Sequence, residues 1–355
     1  MNRIAATQDW LRRNLFSDAF SGLTTLALLA GALYWLPGLI DWMLLRAVFK
    51  PDAAACHALN HGGACWGVVA EKYRFILFGR YPHAEQWRPL LATALLLLVI
   101  AASGLRLLAR GPLLAAWALA LPAFFVLMGG GWFGLGPVGS DQWGGLPLTL
   151  LLATMGMLLA FPLAILVALG RQSVLPLLRG LCTIYVELVR GVPLISVLFL
   201  ASFLFPIILP QGFSIDVLLR VQAGIVLFAA AYLSETIRGG LQAVPGGQHD
   251  AAAALGLGRW QAMRWILLPQ ALRAVIPSVM NSAVSVFKDT SLVTVVSLYE
   301  LTGSLSLALA GDAEWRSYYL EGYLFIGLIY WIGCFSMSRF SRNLEFETGM
   351  SRPLS

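Results

Sequence analysis

Charge is scarce in this sequence. Asp, Glu, Lys and Arg together make up 12% of its 355 residues while 59% are hydrophobic, and the mean hydropathy is +0.76. Too few polar groups remain to cover a soluble domain of this size, which predicts an integral membrane protein. Lysine is scarcer still, with only Lys50, Lys72 and Lys288. None of them completes a phosphate-cradling GxxxxGKS/T loop, and neither HExxH nor GxSxG occurs, so the chain offers no site for ATP chemistry or hydrolysis. The net charge of +6 rests on arginine, and no basic, aromatic-studded patch argues for nucleic acid. In a membrane chain such an excess reports orientation.

Apolar residues come in long unbroken runs rather than in alternation, which selects helices over a closed barrel, the other fold that satisfies its backbone in lipid. Runs of about 20 residues cross the ~30 Å hydrocarbon layer. Eight are present: Ser21–Ile40, Leu90–Leu108, Leu113–Phe133, Leu146–Leu169, Leu181–Leu209, Val217–Ile237, Ser278–Leu298 and Leu320–Ser338. The expected fold is all-α and polytopic. The first run follows Arg12 and Arg13 but lacks a cleavage site followed by a soluble domain, so it reads as a span and not a removed leader.

Arginines set the expected orientation. Arg3, Arg12 and Arg13 precede the first run, Arg106 and Arg110 follow the second, and Arg171 and Arg179 follow the fourth. Arg238, Arg259, Arg264 and Arg273 follow the sixth, and Arg339 and Arg342 the last. The opposite loops at 134–145 and 206–216 have no Lys or Arg, and 299–319 has only Arg316. Both termini are therefore expected in the cytoplasm. The loop from Asp41 to Pro89 dissents, with Arg46, Lys50, Lys72, Arg74, Arg80 and Arg88, but long loops obey the rule poorly.

That outer loop contains CHALNHGGAC, where Cys56 and Cys65 flank His57 and His61. A disulfide in an oxidising compartment, two free thiols and a metal site all fit the spacing. Cys182 and Cys334 lie in apolar runs and read as small core residues. A Gly-rich stretch at 134–145 divides the chain into an N-terminal region, 1–133, with three spans, and a second region, 145–342, with five. Only the second places Glu187, Arg190, Glu235, Lys288 and Asp289 near or within helices, so it is the expected working half.

In FKDTSLV, Lys288 and Asp289 sit about half-way along the seventh run. Neighbours on a helix point about 100 degrees apart, so at least one needs a partner on another helix. Glu187 and Arg190, three apart on one face, are the candidates in view. The pair either fixes packing or lines a transport path or gate. Directly after Arg190, Gly191 and Pro193 predict a kink or break, which in lipid must line protein or water.

Between the sixth and seventh runs, residues 238–277 are expected to form a cytoplasmic loop. Gly239, Gly240, Pro245, Gly246 and Gly247 end the sixth helix in this reading, and Asp250 caps an alanine helix, Ala251–Leu255. Gly256 can take the left-handed conformation that closes a helix. A second limb from Gly258 carries Trp260, Met263 and Ile266 or Leu267 on one face, until Pro269 stops or kinks it.

Asp250, Ala251, Ala252, Gly256, Ile266, Leu268 and Pro269 keep the spacing of the cytoplasmic signature of ABC importer permeases: Glu-Ala-Ala, three residues, Gly, nine residues, then Ile-x-Leu-Pro. The departure is Asp250 in place of the usual Glu. YVELVRGVPLI, AYLSETIRGGLQAVPGGQ, ALGLGRWQAMRWILLPQALR and FKDTSLV extend the resemblance, over about 145–342, to the polar amino-acid uptake branch. The extra N-terminal spans and cysteine-bearing loop resemble the M-type membrane subunit of general L-amino-acid uptake systems.

The resemblance implies a type I permease core of five helices in the bacterial inner membrane. It implies a coupling helix seated in a groove of an ABC ATPase, and a complex of two ATPases with a second, related permease subunit, a heterodimer. A periplasmic binding protein delivers the L-amino acid. ATP and Mg²⁺ belong to the ATPases, so no cofactor or metal and no catalytic residue is expected on this chain. A membrane scaffold or sensor whose elbow recruits a cytoplasmic partner is the competing reading. A membrane-embedded enzyme is disfavoured by the absence of a clustered nucleophile and base.

Overall fold

The computed structural model describes residues 3–60, 62–208, 210 and 214–347. His61, one of the two histidines between the paired cysteines, lies outside the described residues, as does Leu209 at the end of the fifth expected run. The chain forms two compact units, residues 1–71 with 313–322, and residues 72–312 with 323–355.

The first unit opens with helices α1 (Arg3–Asn14) and α2 (Ala19–Ile40). Asp18 caps α2 by accepting the Ser21 N–H at 2.8 Å, and a π turn, Asp41–Leu45, prolongs it. None of the side chains of α2 is buried, as suits a helix solvated by lipid. A short α3 (Ala53–Ala58) follows. Cys56 and Cys65 are joined by a disulfide with Cα atoms 5.5 Å apart, and both are fully enclosed. The Cys65 N–H donates to Oε1 of Glu321 at 2.9 Å. His57 Nδ1 lies 3.4 Å from the Tyr318 hydroxyl.

Helix α4 (Gly67–Phe78) leads into the second unit. There α5 (Trp87–Gly104) and α6 (Arg110–Gly129) pack as a hairpin. The end of the hairpin away from its turn is closed by Arg88, wholly buried, whose Nε donates to Leu127 O at 2.7 Å and Nη1 to Gly136 O at 2.9 Å. Glu85 neutralises it, and the Tyr81 ring lies 5.7 Å beneath it. Burial pushes the Tyr81 phenol up to about 12 although the Arg88 charge opposes the shift.

The centre of this unit is α7 (Gly145–Arg171) against α11 (Val217–Ala243). Lipid tails are as apolar as leucine, so helices in a membrane associate where small residues let them approach closely. Helix α7 buries Gly156, Ala160, Ala164 and Ala168 at intervals of four, one continuous small-residue stripe. Val221, Ile225, Ala229 and Leu233 of α11 are buried in the same core.

Two expected runs are not continuous helices. The fifth is α8 (Pro176–Arg190), then α9 (Leu194–Phe199), a π turn (Leu200–Leu204) and α10 (Phe205–Ile208). The chain bends there by 107°, because Gly191 caps α8 and Pro193, extended at ψ 147, cannot continue it. The sixth run continues as a helix through Gly239 and Gly240 to Ala243, past the expected stop. Beyond it lie α12 (Gly247–Ala254), α13 (Arg259–Ala262) and α14 (Leu268–Ala274).

The seventh run is α15 (Ile276–Asp289) followed by a 3₁₀ segment, Thr290–Val296, closed by left-handed Ser297. Then come α16 (Leu301–Ala310) and α17 (Tyr319–Glu347). Among the described residues six helices are long and apolar enough to cross a membrane, or seven with the bent pair taken as one span. The expected eight thus differ at the seventh, where polar residues from Lys288 onward take the chain out of α-helix.

Candidate functional site

The 238–277 loop is an ordered elbow. Helix α12 ends at Ala254 with Leu255 as its cap, and Gly256 stands at φ +72. The Gly256 N–H donates to Ala253 O at 2.9 Å and the Leu257 N–H to Ala252 O at 3.1 Å. These are the two bonds of a Schellman closure, which requires a left-handed residue at this place and hence favours glycine. A Cβ on Gly256 would meet nothing within 4 Å, so its backbone conformation, not space, selects it. Ala252 is buried, whereas Asp250, Ala251, Ala253, Ala254 and Gly256 face outward.

Asp250 is not the cap of this helix. The cap position is Gly246, and Asp250 is the fourth residue of α12, without a side-chain cap hydrogen bond. The helix starts earlier, at Gly247, with Gly246 before it already in ordinary right-handed helical backbone at φ -56 and ψ -32. The Asp250 carboxylate still lies in the first turn, at the positive end of the dipole.

The second limb corrects another expectation. Trp260 is 64% exposed, and the inward side chains are Ala262, Leu267 and Ala271. A π turn, Met263–Leu267, is the cause, with the Leu268 N–H donating back to Met263 O. Pro269 has no N–H and its ring crowds the turn before it. The wider turn absorbs that crowding, so the helix passes through Pro269 into α14 instead of stopping. Ile266 and Leu268 are half-buried around it. Gln270 Nε2 bonds Ile266 O at 2.9 Å and Gln248 Oε1 at 3.2 Å, tying the limbs together. At Gly240 the backbone of α14 comes so near that a Cβ would lie 2.9 Å from Ala271 O and 2.5 Å from the Val275 side chain.

Glu187 and Arg190 partner neither Lys288 nor Asp289. They belong to a five-residue network in which Arg171 bonds Glu235 at 2.5 Å and Glu187 at 3.2 Å, while Arg190 approaches Glu235 at 3.7 Å. Arg238 Nε donates to Glu235 Oε1 at 3.1 Å, and the Arg190 guanidinium lies 5.6 Å from the Tyr232 ring centroid. Sequence reading missed Arg171 and Arg238 as members. The one local signal was the three-residue spacing from Glu235 to Arg238.

Lys288 and Asp289 form no ion pair with each other among the described residues and face different spaces. Lys288 lines a cleft of about 330 Å³ with Ser291, Thr302, Tyr323, Ile326 and Tyr330. Asp289 lines a separate cavity of about 10 Å³ with Leu194, Ile225, Phe228, Ala229 and Thr290. Gly191 and Pro193 lie at the bend that sets Leu194 in that wall.

Beside the cleft, Glu300 is wholly buried and was also missed. It caps α16 by accepting the N–H groups of Thr302 at 2.8 Å and Gly303 at 3.0 Å. It also accepts the hydroxyl of Tyr330 at 2.7 Å and lies 3.1 Å from Thr294 Oγ1 and 3.2 Å from Thr149 Oγ1. A carboxylate just before an apolar helix is a readable cap signal, but its partners 151 and 30 residues away are not. No group of three or more potential metal ligands occurs among the described residues.

Comparison with known proteins bears on all of these elements. Residues 160–348 match the family described as binding-protein-dependent transport system inner membrane component. The chain is also 44% identical, over 96% of its length and 93% of the relative's, to the inner membrane amino-acid ABC transporter permease protein YhdY of Escherichia coli K12. The chain belongs to this permease family. Another relative of the permease is the glutamate/glutamine/aspartate/asparagine transport system permease protein BztC of Rhodobacter capsulatus, 35% identical over 95% of this chain and 92% of that protein. The permease fold is similar to the crystal structure of an amino acid ABC transporter with histidines, at 27% identity and a TM-score of 0.52, over 57% of this chain and 92% of that one. The family match takes in the elbow, the five-residue charge network and the Lys288 cleft; the first three spans precede it.

Proposed function

We propose that this permease carries L-amino acids across the inner membrane, driven by ATP hydrolysis on two separate ABC ATPase subunits and supplied by a periplasmic amino-acid-binding protein. The observation that carries this reading is the elbow, an outward-facing alanine helix closed by left-handed Gly256. Asp250, Ala251, Ala252 and Gly256 form the part that enters an ATPase groove. Ile266, Leu268 and Pro269 hold that part to the spans. ATP, Mg²⁺ and catalysis belong to the ATPases, and this chain contributes no cofactor and no catalytic residue. A related permease subunit completes the complex, and both termini lie in the cytoplasm. Residues 145–342 are the transport core, and 1–133 an addition to it.

The packing supplies a route for motion. A push on α12 reaches the second limb through Gln248 and Gln270, then α11 through the close approach of Gly240 to Ala271. Helix α11 holds Glu235, the shared ion-pair partner of Arg171, Arg190 and Arg238, so its displacement changes an ion network joining three helices. Such a network has discrete pairings and serves as a two-state element. Glu187, Arg190, Gly191 and Pro193 form the gate side of this arrangement. Lys288, facing the cleft, suits an amino-acid carboxylate.

Uptake of a labelled amino-acid panel by the complex reconstituted with ATPase and binding protein, with and without ATP, tests the reading. ATP-dependent accumulation of L-amino acids is the expected result. Accumulation independent of ATP, or none for any amino acid in an assembled complex, would refute it.

A further inference from the structure

The second limb contains one dipeptide twice, in GRWQAMRW: Arg259-Trp260 and Arg264-Trp265. In a regular α-helix, positions five apart diverge by about 140 degrees and the two dipeptides would face different surroundings. The π turn Met263–Leu267 widens the turn and narrows that divergence. Burial shows the result, since Ala262 and Leu267, also five apart, both turn inward at 8% and 2% exposure, while Trp260 and Trp265 stand 64% and 68% exposed. The Arg264 guanidinium lies 5.1 Å from the Trp265 ring centroid. Neither Arg259 nor Arg264 pairs with a carboxylate among the described residues, unlike Arg171, Arg190 and Arg238. The limb continues without interruption into α14, and α15 follows one residue later.

We propose that Arg259, Trp260, Arg264 and Trp265 form a docking surface for the anionic phospholipid headgroups of the cytoplasmic leaflet. Charge complementarity selects this occupant, as two unpaired guanidiniums meet phosphate while indole rings settle at headgroup depth. Continuity with the membrane-entering helices keeps the surface at that depth. The first limb exposes alanines and no aromatic or basic side chain along Asp250–Ala254, so the two limbs offer different chemistry to different partners. The second is kept at the depth of the headgroups while it relays the motion of the first. This inference rests on the cytoplasmic placement proposed above.

The test uses the assembled complex in vesicles of phosphatidylcholine with or without phosphatidylglycerol, with a photoreactive benzophenone side chain replacing Trp265. Crosslinking to phosphatidylglycerol is expected. Arg259→Gln with Arg264→Gln should lower its yield by roughly fivefold for each arginine removed. Crosslinking to the ATPase subunit instead, or a lipid yield unaffected by the double substitution, overturns the proposal. Labelling of a Gly247→Cys variant by an impermeant maleimide in right-side-out vesicles reports separately on placement. Reaction before permeabilisation would refute the cytoplasmic loop, whatever the lipid result.

Discussion

Replacing Gly256 isolates backbone conformation from every other property of the elbow. Its φ of +72 lies in the left-handed region, and an added Cβ would find open space, so Gly256→Ala introduces no clash. What it introduces is the left-handed penalty of an L-residue, roughly 1–2 kcal/mol, set against the two closure bonds at Ala253 and Ala252. That energy lowers the weight of the closed elbow by a factor of about 5–30. Apparent affinity for the ATPase should fall by up to the same factor, since only the closed form docks. Asparagine tolerates the left-handed region far better than a β-branched residue does. The expected order of coupling is therefore Gly, Asn, Ala, Val. The measurement is amino-acid uptake per ATP hydrolysed in proteoliposomes, with subunit stoichiometry checked on the same preparation. If Gly256→Val keeps the wild-type ratio, or Asn and Ala are equally impaired, left-handed closure is not what the elbow needs.

Three further outcomes are expected. Glu300→Ala strands the Thr302 and Gly303 amides and the Tyr330 hydroxyl in a buried site. It should lower stability by roughly 3–5 kcal/mol, with Glu300→Gln milder, and a thermal melt of the Ala variant matching wild type would contradict the packing described. Joint Cys56→Ser and Cys65→Ser substitution removes a crosslink over a separation of 9 residues, worth about 2.5–3 kcal/mol of chain entropy. Limited proteolysis should then cut within 46–66 faster than in wild type, and equal rates would deny the crosslink a stabilising role. Lys288→Met should leave the melting temperature unchanged or raised, since Lys288 faces the cleft without an ion-pair partner, while uptake falls at least about tenfold through loss of a charge-assisted contact. Undiminished uptake together with a lower melting temperature would assign Lys288 to packing instead.

Span lengths and the elbow were legible because each depends on residues close in sequence. Run length reports membrane thickness, and a glycine after an alanine helix reports a left-handed closure that two backbone bonds complete. The second limb was misread for an equally local reason. A single π turn shifts every later position by one, so the 3.6-residue pattern put Trp260 and Leu267 on one face, whereas Trp260 is exposed and Leu267 buried. Asp250 was misplaced because Gly246 and Gly247, read as ending the sixth helix, instead form the cap and first residue of α12. The charge network and the Glu300 site were not legible, since Arg171 and Glu235 stand 64 residues apart and Thr149 and Glu300 stand 151 apart. Which charges meet depends on how helices pack, and composition is silent on that.

The bond from Cys65 to Glu321 joins residues 256 positions apart. Ribosomes build the chain from its N-terminus, so the disulfide segment emerges 256 residues ahead of its latch. Until Glu321 is made, the Cys65 amide lacks the acceptor it has in the finished fold. The first unit, which includes 313–322, is therefore completed only after α4 to α16 have been translated. A truncated product that loses α17 forfeits both a span and the closing of the oldest part of the molecule, giving quality control one place to detect an unfinished permease.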